Sequence, residues 1–150
     1  MKPMRTPLIA GNWKMFKTIS ETKAFFSSFL PLVSGVSHCG IVVAPPFVSL
    51  AAAAAAAVGS RVAISAQDVY WKKEGAFTGE VSIPMLLDAG CTHTIIGHSE
   101  RPQFFGETDG TVNEKARAAV AGGLQPIVCV GETLAERDAG KAAEVVRRQV

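Results

Sequence analysis

The chain has 150 residues, nearly half of them apolar, and a formal net charge of +2. That length suits one domain with a core of its own, and so small a charge gives no reason to expect nucleic acid or an anionic membrane as partner. No apolar run approaches the ~20 residues a transmembrane helix needs, and Pro3, Pro7, Asn12 and Lys14 interrupt any signal-peptide core behind Lys2 and Arg5.

Short apolar runs alternate with helical ones. Leu8-Ile9-Ala10 reads as a strand, followed by a helix over 20–32 with Ser20 at its cap and Ala24, Phe25, Ser28, Phe29 and Leu32 on one face. Residues 40–44 form a second strand, stopped by Pro45-Pro46. The alanine run 51–57 packs as a helix that ends at Gly59. A third strand over 61–66 leads into a polar loop from Gln67 to Glu80, then a short helix over 83–89 and a fourth strand over 94–97. A helix over 111–121 ends at Gly122-Gly123. A fifth strand over 126–130 precedes a helix from Leu134 that is still running at Val150.

Strands that are continuous apolar runs suit a parallel sheet buried on both faces. The fold class is therefore α/β with five β/α units, and the pattern leaves closed barrel and open doubly wound sheet as alternatives. Neither Gly-x-Gly-x-x-Gly nor Gly-x-x-x-x-Gly-Lys-Ser/Thr occurs, which removes weight from dinucleotide and P-loop readings. Cys39, Cys91 and Cys129 are odd in number, widely spaced and set among apolar residues. Buried free thiols in a reducing cytoplasm fit them better than a disulfide framework or a zinc site.

The chemistry-bearing residues collect at strand ends. Asn12 and Lys14 follow the first strand two positions apart, so both side chains leave on one side. A lysine there is either a fixed cation for an anionic substrate or part of a solvated turn. His98 ends the fourth strand, and Ser99, Glu100 and Arg101 open a short helix after it. The positive end of a helix disfavours a protonated imidazole, and a neutral ring can donate a hydrogen bond to a carbonyl oxygen; a purely structural histidine is the alternative. Glu100 reads equally as a catalytic carboxylate or as an ion-pair partner of its neighbour Arg101. Glu107 and Asp109 read as helix-start acids, Lys72 and Lys73 as solvated, and Glu132 as either an ion pair or a substrate-side group.

Five segments taken together resemble triosephosphate isomerases in order and spacing. They are Gly11-Asn12-Trp13-Lys14-Met15, Ala76-Phe77-Thr78-Gly79-Glu80-Val81-Ser82, Ile95-Ile96-Gly97-His98-Ser99-Glu100-Arg101, Phe105-Gly106-Glu107-Thr108 and Cys129-Val130-Gly131-Glu132-Thr133. The resemblance implies a TIM (β/α)8 barrel that interconverts dihydroxyacetone phosphate and D-glyceraldehyde 3-phosphate through an enediolate, with no cofactor and no metal, in the cytoplasm, as part of glycolysis and gluconeogenesis. It gives Asn12 and Lys14 the triose phosphate, and Lys14 and His98 the catalytic roles of cation and neutral electrophile, the histidine partnering a glutamate base in that family. Ser99 and Glu100 become supporting residues. Thr78 becomes a dimer contact that reaches the partner subunit's site, so a homodimer is implied.

Two departures from the family pattern stand out. Pro102 replaces a second arginine, which removes one ion pair; a first helical turn tolerates proline. A (β/α)8 barrel takes about 250 residues, so residues 1–150 read as the N-terminal part of one barrel domain, truncated within its fifth helix. The strand-six glutamate, its lid and the glycine-rich phosphate loops have no counterpart here. The chain alone is therefore expected to be inactive. The alternative is a non-catalytic half-barrel that associates with a complementing chain or with itself, because open sheet edges favour association.

Overall fold

The computed structural model describes residues 5–150; Lys2 and Pro3 lie outside the described residues. Five strands, β1 (Leu8–Asn12), β2 (Gly40–Ala44), β3 (Val62–Ala66), β4 (His93–Ile96) and β5 (Gln125–Val128), form one sheet in chain order. Every neighbouring pair is parallel, with Asn12 opposite Ala44, Ser65 opposite His93 and Ile96 opposite Val128. Parallel neighbours need a crossover between them. Here the crossovers carry α1 (Ile19–Val33), α2 (Leu50–Ala57), α3 (Ile83–Asp88), and then the pair α4 (Glu100–Phe104) and α5 (Asp109–Gly122). After β5 come α6 (Leu134–Asp138) and α7 (Ala142–Gln149).

Several helix starts and stops differ from the sequence expectation. Helix α1 is capped by Thr18, not Ser20. The Thr18 N–H donates to Glu21 Oε2 at 2.7 Å and the Glu21 N–H donates to Thr18 Oγ1 at 3.4 Å, a reciprocal capping box. The Thr18 N–H first, and then the Thr18 hydroxyl at 2.9 Å, hold the Glu21 carboxyl below its usual range by donating to it. The buried face is also rotated: Thr22 and Phe26 are buried while Leu32 is 80% exposed. The line 22, 26, 29–30, 33 meets the core, so Ala24, Ser28 and Leu32 fall on the solvent side.

Helix α5 starts at Asp109 with Thr108 as its cap, and stops at Gly123, whose φ of 92° closes it in the expected place. The single helix expected after Leu134 is two. Gly140 adopts a φ of 71°, and the Gly140 and Lys141 N–H groups turn back to the Arg137 and Glu136 carbonyls at 2.9 and 2.8 Å. A left-handed glycine there ends α6, and α7 restarts in a new direction. A 3-10 turn at Phe47–Ser49, which the sequence did not signal, precedes α2.

The core lies between the sheet and α1, α2, α3 and α5, around Phe26, Leu50, Ile64, Val69, Leu86, Ile96 and Leu124. Strands β2, β3 and β4 are buried as their apolar runs suggest. The two outer strands are not: Ile9 is 62% exposed and Val128 40%. A strand with a neighbour on one side alone leaves part of its apolar face open. The three thiols are free, and only Cys91 is fully buried; burial pushes its thiol up to about 11. Among the described residues no helix is long and apolar enough to cross a membrane.

Phe26 is wholly buried against Trp13 and Phe25, with ring centroids 6.1 and 5.5 Å away. It therefore ties α1 to the exit of β1. Replacing Phe26 by Ala is expected to lower unfolding free energy by about 3–5 kcal/mol, measured by urea titration followed by tryptophan fluorescence.

Candidate active site

Because all five strands run the same way, their carboxyl ends share one edge of the sheet. The chain leaves β1 there through Asn12-Trp13-Lys14. Trp13 is anchored by its N–H to the Ala44 carbonyl at 3.0 Å and by an edge-on contact with Phe25 at 4.8 Å. The Asn12 Oδ1 accepts the Lys14 N–H at 2.9 Å. From this exit the Lys14 ammonium reaches Glu100 Oε1 at 2.7 Å, across 86 residues of sequence. That hydrogen bond is the main reason the Glu100 carboxyl lies below its usual range; the Lys14 charge adds to it.

Strand β4 is followed by Gly97, whose φ is 71° and whose missing side chain leaves room for the Cys129 carbonyl and Val112. A Cβ there would stand 3.2 Å from both. This tight turn delivers His98 to the start of α4. The Glu100 N–H donates to His98 Nδ1 at 3.3 Å. An acceptor nitrogen carries no proton, so Nε2 bears the ring's N–H. The Glu100 carboxylate is also 3.5 Å from Nδ1, too far for a hydrogen bond. His98 thus has the tautomer that can donate from Nε2. Pro102 sits at the third position of α4, where a backbone N–H would have no partner inside the helix.

Beneath this exposed pair lies a buried one. Lys115 on α5 donates to Asp68 Oδ1 and Oδ2 at 2.8 and 3.0 Å and to Glu107. The Arg101 Nε stands 3.0 Å from Asp68 Oδ2 and 3.5 Å from Glu107 Oε1. Its N–H is not aligned on either carboxylate, so the attraction is Coulombic. Two cations face two carboxylates, and Lys115, Asp68 and Glu107 are all buried. Burial raises the Asp68 carboxyl above its ordinary value, against the pull of Lys115 and Arg101. Two sequence readings are corrected here. Glu107 does not cap a helix; it is a member of this quartet. Arg101 pairs with Asp68 and Glu107, and its neighbour Glu100 turns to Lys14 instead, because successive residues on a helix diverge by about 100°. Glu132 resolves as an ion pair, 2.7 Å from Arg137. Asp109 does lie in the first turn of α5, 2.9 Å from Arg148.

Asn12, Lys14, His98 and Glu100 line one open cleft of about 500 Å³, together with Gln67, Asp68, Arg101 and the rings of Phe16, Phe47, Phe104 and Phe105. Ser99 is exposed, outside the cleft lining, and makes no side-chain cap bond. Thr78 is exposed on the loop between β3 and α3, also away from the cleft. That loop packs on itself, with the Tyr70 ring 4.1 Å from Trp71 and 4.7 Å from Phe77. Sequence reasoning missed Gln67, Asp68 and Lys115. Lys115 had a signal: it shares a helix face with Val112, Ala116 and Ala119, where a solvated lysine does not belong. Gln67 and Asp68 had only their position after a strand.

The family model described as Triosephosphate isomerase matches residues 7–150. The chain is 58% identical over 147 residues to the triosephosphate isomerase of Citrifermentans bemidjiense, covering 98% of this chain and 59% of that protein. The Geobacter metallireducens enzyme is 55% identical over the same shares. The crystal structure of triosephosphate isomerase from Bartonella henselae superposes with a TM-score of 0.91 at 36% identity, covering 97% of this chain and 60% of that one. The five strands and their helices thus have the fold of the (β/α)8 barrel family. The chain spans about 59% of the length of the curated relatives it matches.

Removing one partner of a buried ion pair strands the others without compensation. Lys115→Met is expected to cost about 3–5 kcal/mol of stability. A denaturant titration of the variant checks this, and a change under about 1 kcal/mol would mean the quartet is hydrated.

Proposed function

The chain belongs to the triosephosphate isomerase family, and from that premise we propose that it supplies the electrophile and the cation for interconverting dihydroxyacetone phosphate and D-glyceraldehyde 3-phosphate. One observation carries the reading: Lys14 and His98, from the exits of two separate strands, line a single cleft with the His98 Nδ1 already occupied by a backbone N–H. In this proposal Nε2–H donates to the substrate carbonyl oxygen and stabilises the charge that develops there as an enediolate. The Lys14 ammonium offsets the charge of phosphate and enediolate, and Asn12 shapes the turn that presents it. Glu100 holds the ammonium until substrate displaces it, and Ser99 supports the start of α4 through its carbonyl, which accepts the Gln103 N–H at 3.3 Å. The reaction belongs to glycolysis and gluconeogenesis, in the cytoplasm.

Isomerisation also needs a base for the carbon-bound proton. The carboxylates that line the cleft, Asp68 and Glu100, are both ion-paired with cations. Asp68 stays held in the buried quartet, and Glu100 is assigned to holding Lys14 and not to that role. Residues 1–150 are accordingly proposed as the N-terminal part of a single barrel domain whose base lies in the portion that the relatives have and this chain does not span. The assembled enzyme is proposed as a homodimer, with Thr78 on its exposed loop as a contact. The self-packed aromatic loop supports this, since it presents a defined shape.

A second reading, a half-barrel that associates with a complementing chain or with itself, is favoured by the exposed faces of β1 and β5. Light scattering on the 150-residue chain is expected to show species larger than a monomer; a compact, well-behaved monomer would count against that reading.

For the catalytic proposal, the 150-residue chain is expected to show no isomerisation above buffer. A chimera carrying these residues in place of the matching part of the Citrifermentans bemidjiense enzyme is expected to turn over. In the chimera Lys14→Met and His98→Asn should each lower kcat by about 10²–10³-fold. Wild-type-like turnover by either variant sinks the assignment.

A further inference from the structure

Lys14 has a φ of 53°, one of two positive values at non-glycine residues among the described residues. An L side chain adopts that left-handed region reluctantly. Both backbone polar groups of Lys14 are held by side chains. Its N–H goes to Asn12 Oδ1 at 2.9 Å, and its carbonyl accepts from Gln67 Nε2 at 2.8 Å. The same nitrogen donates to the Ala44 carbonyl, also at 2.8 Å. A carboxamide nitrogen has two hydrogens, and both are used here. Ala44 ends β2 and also takes the Trp13 N–H. Gln67, on the exit of β3, therefore pins the exit of β1 to the end of β2.

We propose that Gln67 is a positioning residue, whose amide holds Lys14 in its left-handed turn so that the ammonium stands in the cleft opposite Glu100. The importance of that position for catalysis rests on the function proposed above; the clamp itself does not. Gln67 acts through Lys14 and touches no reacting group. The role needs a two-hydrogen donor at this side-chain length. Methionine matches the length and has no donor, and asparagine is one carbon too short to bridge both carbonyls.

The test uses the 150-residue chain with the Glu100 carboxyl carbon isotopically labelled, so it does not depend on turnover. Glu100 titrates low first because Lys14 bonds to it, and His98 is the other titratable group facing it. Gln67→Met is expected to raise the Glu100 midpoint toward the ordinary glutamate value. Lys14→Met should raise it too, and the double variant no further than Lys14→Met alone. A folded Gln67→Met chain with an unchanged Glu100 titration overturns the proposal, as does an additive double variant. If Gln67→Met fails to fold, Lys14→Gly decides, because glycine adopts the left-handed turn freely. Recovery of folding in Lys14→Gly/Gln67→Met supports the clamp, and equal loss of folding overturns it. Absence of activity in the chimera would remove the catalytic reading and leave these outcomes as they are.

Discussion

A parallel sheet whose strands lie in chain order places every strand's carboxyl end on the same edge. Here that constraint brings Asn12, Ala44, Gln67 and His98 together from positions up to 86 residues apart. The connections of such a sheet leave from that edge and return by way of a helix. The helices cover one face of the sheet, and the residues just past the strand ends are free of packing duties. Chemistry collects there for that reason. The tight turns that make it possible are paid for by local devices: Gly97 with its missing side chain, Thr18 with its capping box, and Asn12 with its bond to the Lys14 N–H.

The charges at this edge fall into two layers with different energetics. Lys14 and Glu100 form an exposed pair, their side chains 48% and 38% accessible. Solvent screens such a pair, so it contributes little to stability. Stability is not the reason to keep it; an ammonium held at a cleft until an anion replaces its partner is. The quartet below is the opposite case. Unpaired, each of its three buried ions, Asp68, Glu107 and Lys115, would cost several kcal/mol in the interior. Paired, it links the exit of β3 through Asp68, the start of α4 through Arg101, the segment before α5 through Glu107, and α5 itself through Lys115. The short helix carrying Glu100 is fixed from beneath by Arg101.

Much of this was legible in the sequence. The alternation of apolar runs places the five strands within two residues, and the strand exits make Asn12, Lys14 and His98 candidates, whose roles come from the family resemblance. The failures have physical causes. The face of α1 differs because Phe25 and Phe29 fit two registers, and the burial of Thr22 and Phe26 in the core selects the one that turns Leu32 outward. The last helix was read as continuous because Gly140 costs a helix only about 1 kcal/mol, a penalty that pattern alone does not separate from a true break. Glu107 looked like a capping acid because a buried partner 8 residues away leaves no local trace. Gln67 was invisible: a glutamine after a strand reads as solvated until the carbonyls it bridges are seen.

The backbone of Lys14 shows how the local and the tertiary levels meet. A non-glycine residue in the left-handed region stores of order 1–3 kcal/mol of strain. One ordinary hydrogen bond contributes a net ~0.5–1.5 kcal/mol. Asn12 alone is therefore too weak to hold the turn dependably, and the two bonds to Lys14, from Asn12 and Gln67, are about enough. The bond from Gln67 to Ala44 fixes the clamp to the sheet rather than to the loop. Strain of this size persists only where surrounding structure over-determines it. The site's cation is thus set in place by the third strand's exit as much as by its own, and a sequence reading of the β1 exit alone lacks half of what holds it.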